Sequence, residues 1–434
     1  VNRRRAPNPT GIDRIDLKFA AATFARFGVD CLPVVLVGRR PVVLTDEREV
    51  VVDFIAGLDA AWFRDAAPDE DRARRIDRLG IATNTGHGSR RAEREAAALG
   101  HDAAATGGPI GRLVPRAIRR VARLRRLARA RLAGAAPLGD RRIVYVDVSH
   151  EGLARSSGAL DRLARPEDLT VLAYVHDLMP LEVPQFSRAD RIATFAAFVD
   201  ELVRHEAVFV ANSRATAASL AHHLDRVAPG AFPAADVVHP GVARPEHHTA
   251  GPRSAAGPPE FVILGTIEPR KNHRMLLEIW REMIAEGVSP IPRLRIIGRR
   301  GWNIGDVAAE LDRSTELSGH VVEENDLDDR SVRARLLEAA ALLFPSRAEG
   351  FGLPLAEAAA LGVPVIASDL PVFHEIVTEG LVALPATDAA AWKAAIRSAA
   401  ADPGALPRPR LSEELLDWPG QSELFTNLVE KALR

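Results

Sequence analysis

The sequence predicts an α/β protein made of two Rossmann-like, doubly wound parallel-sheet domains facing across a cleft, and three observations carry that prediction. Short β-branched apolar runs alternate with longer Ala/Leu/Arg stretches of helical period, the rhythm of strands that are buried on both faces. A stretch at 244–259, with Pro245, Gly251, Pro252, Gly257, Pro258 and Pro259 and almost no large apolar residue, interrupts the rhythm, which then restarts. The length of 434 residues suits two domains, each able to bury a core without staples, and the lone Cys31 excludes an intrachain disulfide framework.

In chain order, the candidate strands of the first domain (1–245) are 32–37, 143–148, 170–175, 207–211 and 236–239. Residues 246–259 read as a linker. The second domain (260–410) places candidate strands at 261–264, 294–297, 342–344 and 364–367, each followed by a loop and a helical pattern. The tail, 411–434, carries Trp418 and an amphipathic helix at 422–433, expected to pack back toward the first domain. Residues 80–111 are rich in Gly, Ala, Thr and Arg and read as a loop. Residues 112–131 hold nine arginines and no acid around an apolar stripe of Val114, Ile118, Val121, Leu124 and Leu132. Two readings stand for that basic helix: a face for an anionic membrane surface, or an ordinary helix with its stripe in the core and its arginines in water.

Lys and Arg number 57 against 58 Asp and Glu, and 47% of residues are apolar. This balance argues against a nucleic-acid coat and against global disorder, and the basic stretch has no aromatic residue for base stacking. The charged start Val1-Asn2-Arg3-Arg4-Arg5 runs into Pro7, Pro9 and Gly11 rather than an apolar core, and no apolar run reaches membrane-spanning length. The expected setting is therefore the cytoplasm, with a peripheral membrane role if the basic helix binds lipid. Lysine is scarce, limited to Lys18, Lys271, Lys393 and Lys431, so a lysine in a chemically demanding position carries weight.

Phosphate-loop, GxGxxG, HExxH and GxSxG motifs are missing. Two other stretches point to chemistry. The first strand of the second domain empties into Gly265-Thr266-Ile267-Glu268-Pro269-Arg270-Lys271, which sets two cations at the carboxyl edge of a parallel sheet, where ligands bind in such folds. A planar guanidinium beside a point charge suits a diphosphate; the alternative is a solvated basic loop. After the strand at 342–344 come Glu349, Gly350, Phe351, Gly352, Leu353 and Glu357. The glycines permit close backbone approach, the N–H groups at the helix start suit a phosphate, and the two glutamates, eight apart, suit sugar or ribose hydroxyls. The alternative is a capping carboxylate plus a surface glutamate.

Together these stretches resemble the family-4, retaining bacterial glycosyltransferases of GT-B fold, whose signature EGFGLPxxEA stands intact at 349–358. The resemblance extends to TGIDRIDL at 10–17, YVDVSHEGL at 145–153, HDLMPLEVP at 176–184, ANSRAT at 211–216, HPG at 239–241, GTIEPRKNH at 265–273, IIGRRGW at 296–302 and SDLPVFHEI at 368–376, and is weak over 39–137 and after Pro403. It looks most like the mannosyltransferases of surface-polysaccharide biosynthesis. The resemblance implies that Arg270 and Lys271 neutralise the donor diphosphate, that Glu357 meets the ribose and Glu349 the donor sugar, that His176 touches the sugar from the first domain, and that Gly11 belongs to a loop closing over donor and acceptor. His150 and Asp177 are weaker candidates, and Asp147 stands where relatives often carry Asn. The expected reaction moves a hexose, with mannose from GDP-mannose favoured, from a nucleotide-diphosphate sugar to a glycan or polyprenyl-diphosphate-linked acceptor, with no metal or other cofactor and no nucleic-acid partner. A GT-B nucleotide-sugar epimerase, a phosphorylase or a non-catalytic nucleotide-sugar-binding scaffold remain the alternatives.

Overall fold

The computed structural model describes residues 11–37, 40–45, 48–63, 142–149, 153, 157–243, 257–325 and 327–434. The proposed loop at 80–111, the basic helix at 112–131, His150 and most of the linker lie outside the described residues. Helix α1 (Gly11–Phe27) leads to a hairpin of β1 (Val34–Val37) and β2 (Arg40–Val43), then to α2 (Arg48–Phe63). A four-stranded sheet follows: β3 (Ile143–Asp147), β4 (Leu169–Val175), β5 (Val208–Ala211) and β6 (Asp236–Val237), all parallel and in that spatial order. Between them run α3 (Met179–Glu182), α4 (Ala189–Arg204) and α5 (Arg214–Val227). The α4 helix forms because Phe195, Phe198, Val199 and Leu202 recur at three- and four-residue steps and bury one stripe against the sheet. Ser213 caps α5 by accepting the Thr216 N–H at 3.0 Å.

The second sheet contains β7 (Glu260–Leu264), β8 (Arg293–Ile297), β9 (Val321–Glu324), β10 (Ala341–Phe344), β11 (Val365–Ser368) and β13 (Leu381–Leu384). Its order is β9-β8-β7-β10-β11-β13 and every pair is parallel, so the chain winds outward from β7, returns to the middle and winds outward the other way. Helices α6 (His273–Ala285), α7 (Gly305–Arg313), α8 (Asp329–Glu338), α9 (Leu353–Ala360) and α10 (Pro371–Ile376) make the crossovers, and α11 (Ala389–Ala401) follows the last strand. An antiparallel pair, β12 (Val377–Glu379) with β14 (Arg410–Leu411), lies apart from the main sheet.

The last helix, α12 (Trp418–Leu433), packs on the first sheet. Its Phe425 and Val429 share a core with Ile15 and Phe19 of α1 and with Leu172 and Tyr174 of β4. Phe425 and Phe19 stack at 4.5 Å between centroids, and Phe19 meets Tyr174 at 4.9 Å. The Val242 N–H donates to the Leu415 carbonyl at 2.7 Å, which ties the outgoing and returning chain segments together.

Two sequence expectations change. Residues 32–37 were expected in a parallel sheet; β1 instead pairs antiparallel with β2, because only two residues separate the strands, too few for the crossover that a parallel pair needs. Strands β9 and β13 join the parallel sheet without having been expected. Among the described residues no helix is long and apolar enough to cross a membrane.

Candidate active site

The order of the second sheet reverses between β7 and β10, and the carboxyl ends of those two strands carry the two motifs. From β7 the chain runs through Gly265 to a 3-10 turn, Pro269–Lys271, closed by Asn272 in the left-handed region. From β10 it runs through Glu349 to Gly352, whose φ of 112° precedes the first turn of α9 and favours glycine at that position. Strand order therefore brings 270–271 and 349–353 together across a separation of nearly eighty residues.

Ion pairing at this junction is tight. Arg270 Nη1 and Lys271 Nζ approach the same oxygen, Glu349 Oε1, at 2.7 and 2.5 Å. The other end of the guanidinium donates to Glu268 Oε1 at 2.6 Å, and Nη1 also donates to the Ala348 carbonyl at 2.7 Å. Lys271 is 8% exposed and its ammonium lies 4.5 Å above the Phe344 ring. Burial raises the Glu349 pKa, but Arg270 and Lys271 outweigh it and hold the carboxyl at about 2. For Lys271 the balance tips the other way: burial lowers its pKa more than Glu349 raises it. Arg270, which pairs with Glu268 as well as Glu349, is by contrast shifted upward despite its burial.

The first sheet meets this floor from above. His176, 2% exposed, follows β4 directly, and its Nε2 lies 3.1 Å from Asp16 Oδ1 and 2.9 Å from the Val148 carbonyl. Both neighbours are acceptors, so Nε2 carries the hydrogen. Burial disfavours the imidazolium, yet Asp16 more than offsets it and the pKa is raised. Burial also raises Asp177, which accepts the Met179 N–H at 3.0 Å. A Cβ at Gly350 would overlap the His176 carbonyl, and the Gly350 carbonyl accepts the Ser213 and Thr216 hydroxyls at 2.8 and 3.1 Å. Only a glycine lets the loop after β10 seat on the end of β4.

A cavity of about 390 Å³ results. Its wall contains Gly11, His176, Asp177, Gly265, Arg270, Lys271, Glu349, Gly350, Phe351, Gly352, Leu353 and Glu357, so the residues singled out in the sequence surround one space. Asp147 lies off this wall; it is buried beside Asp16 and His176, where burial raises its carboxyl to about 7. Motif reading passed over Arg14, Asp16, Thr266, Arg299 and Asp329. Of these, Arg14, Asp16, Thr266 and Arg299 sit inside quoted motifs, and the Arg14 contacts reach across domains. Arg14 of α1 donates to Glu357 Oε1 at 2.9 Å and to Asp329 Oδ1 at 2.5 Å. Glu375 of α10 was missed as well: it accepts the Arg214 N–H at 2.8 Å at the start of α5 and lies 2.6 Å from His239 Nε2. The sequence contains two Asp-x-Asp triplets, 69–71 and 326–328, of which 69–71 and Asp326 lie outside the described residues. Among the described residues no group of three or more His, Cys, Asp or Glu could hold a metal ion.

Two Rossmann-like parallel sheets whose carboxyl edges enclose one cleft are the GT-B arrangement. Residues 246–414, which hold the second sheet and its crossover helices, match the model of the family described as glycosyl transferases group 1. The chain is 31% identical over 218 residues to the serotype-specific mannosyltransferase WbdA of Escherichia coli, covering 47% of this chain and 26% of that protein. It is 38% identical over 93 residues to the O-antigen chain mannosyltransferase RfbU of Salmonella typhimurium, covering 21% and 26%. The chain thus spans about a quarter of the length of these curated relatives. Among solved structures, the sucrose-phosphate synthase of Thermosynechococcus elongatus superposes with a TM-score of 0.48 at 17% identity, over 67% of this chain and 73% of that one.

Proposed function

We propose that the chain is a retaining glycosyltransferase that moves mannose from GDP-mannose to a glycan or polyprenyl-diphosphate-linked acceptor during surface-polysaccharide synthesis. The observation that carries the reading is the meeting of Arg270, Lys271, Glu349 and the start of α9 at the switch point of the second sheet. A leaving diphosphate at that point gains negative charge as its bond to the anomeric carbon breaks. Arg270, Lys271 and the N–H groups near Gly352 and Leu353 are the groups that would stabilise it, each charge-assisted bond contributing about 1.5–3 kcal/mol. We assign this charge stabilisation to the protein and not to a metal ion. Glu357 would bind the ribose, Glu349 and His176 the sugar, and Gly11 would lie at the mouth that closes over both substrates.

Retention follows from attack on the face that the diphosphate leaves. The acceptor oxygen forms its bond to the anomeric carbon as the carbon–phosphate-oxygen bond breaks, and the acceptor proton passes to the departing phosphate. Support for mannose comes from the names of the relatives, WbdA and RfbU. The test is a panel of nucleotide sugars with polyprenyl-diphosphate glycans, with and without EDTA. GDP release that requires acceptor, survives EDTA and yields an α-mannosyl product supports the reading. Turnover with another donor alone refutes the mannose assignment, and tight binding without turnover refutes the transferase.

A further inference from the structure

The Arg14 guanidinium reaches from α1, which packs in the core of the first sheet, to two carboxylates on helices of the second domain, Glu357 on α9 and Asp329 on α8. The contact is half-buried, with the side chains of Arg14, Glu357 and Asp329 19%, 32% and 39% exposed. The same ion group partitions the cleft from a second cavity of about 430 Å³, since Arg14, Asp329, Leu353 and Glu357 line both. Close packing supports the crossing: the α1 start leans on Leu353, whose Cδ1 would lie 2.9 Å from a Cβ at position 11.

We propose that Arg14 is a positioning residue, one that orients Glu357 for the nucleotide ribose and makes nucleotide binding depend on closure of the two domains. This rests on the glycosyltransferase reading. Arg14 takes Glu357 Oε1, which assigns Oε2 to the hydroxyl donors of the ribose. Burial and the Asp329 charge push the Glu357 carboxyl toward its neutral form, while Arg14 and, from α8, Arg333 oppose them. Without Arg14 the carboxylate loses the larger of its two charge supports and its fixed orientation. Because the guanidinium belongs to one domain and the carboxylate to the other, the prepared site exists only when the domains are closed. By reciprocity, nucleotide binding then favours closure by the same factor.

The test is calorimetric titration of the full chain with GDP and with UDP for the wild type, Arg14→Met, Arg14→Lys, Glu357→Gln and the Arg14→Met/Glu357→Gln pair. Arg14→Met is expected to weaken binding about tenfold, the lower end of one charge-assisted bond. Arg14→Lys should recover part of the loss, and the Arg14 effect should shrink in the Glu357→Gln background, where the Asp329 contact alone remains. Small-angle scattering without nucleotide should show a larger radius of gyration for Arg14→Met. Unchanged or tighter binding by Arg14→Met, or the same loss in the Glu357→Gln background, overturns the proposal while leaving the transferase reading intact. Failure of the wild type to bind either nucleotide overturns both. Should Arg14→Met not fold, Arg14→Lys carries the same comparison against Glu357→Gln.

Discussion

Glu349→Gln tests the charge balance at the cleft floor while keeping the side-chain shape. In the folded protein Arg270 and Lys271 face Glu268 and Glu349, a balanced set of four groups, and the substitution leaves it singly positive. The Glu349 carboxyl falls from 4.5 to about 2, which corresponds to about 3 kcal/mol at 1.36 kcal/mol per pKa unit. That value matches the lower end of the roughly 3–5 kcal/mol cost of breaking a buried ion pair, and burial of Lys271 keeps it at that end. A carboxyl depressed in the folded state contributes stability above its unfolded pKa of about 4.5, and loses it as pH falls toward about 2. The wild type should therefore show an acid-labile increment in that window, and Glu349→Gln should have none to lose. The assay is guanidinium unfolding followed by tryptophan fluorescence at several pH values, with and without inorganic pyrophosphate. A phosphate oxygen held by Arg270 and Lys271, about 5 Å from the former carboxylate, escapes about 3 kcal/mol of repulsion at an effective dielectric of 20. Pyrophosphate should accordingly stabilise the variant more than the wild type. Equal stability at pH 7 together with an equal pyrophosphate response would refute the reasoning.

Gly350→Ala places a Cβ against the His176 carbonyl and 2.8 Å from Asp177 Cβ, so the two halves of the cleft must separate; transfer activity should fall about 100-fold, measured as initial GDP release. A loss of less than threefold would show that the contact can relax. Burial raises the Asp147 carboxyl from 3.8 to about 7, with Ser149 N–H and His176 opposing and Asp16 adding, so its contribution is present below about 3.8 and is lost as pH rises through about 7. Asp147→Asn should thus be more stable than wild type at pH 8 by up to about 4 kcal/mol, the gap closing by pH 4, in denaturant titrations at both values. A gap that does not vary with pH would rule out the carboxyl as its source. Glu375→Ala removes the acceptor for Arg214 N–H and His239 at the domain contact and should cost about 3 kcal/mol, read from the unfolding midpoint. A change under about 1 kcal/mol would mean that the contact is solvated.

Strands such as β4, β7 and β10 were legible because both faces are buried, and a short apolar run cannot do otherwise in a doubly wound sheet. Strand β9 was not, because it ends in Glu323 and Glu324, whose charges are satisfied by Arg300, Arg295 and Arg335 rather than by apolar packing. The site followed the same division. Arg270 with Lys271, and Glu349 with the Gly352 turn, are local motifs that leave the carboxyl ends of strands, so spacing and turn chemistry alone mark them. Strand order, which no local pattern encodes, decided that these two motifs share one floor.

The sequence by itself determined the two-domain α/β class and marked the two charged, glycine-bearing motifs on the cleft wall, since hydrophobic period, glycine and proline placement and scarce lysine all act over a few residues. Tertiary structure alone decided that Arg14 reaches Glu357, that Asp16 holds His176, and that Glu375 seats on the start of α5, because each pairing spans more than a hundred residues; the first and third depend on how the two sheets face one another, the second on how α1 packs on the first sheet. Such contacts exist only once burial has removed water from both partners and register has brought them within hydrogen-bond reach.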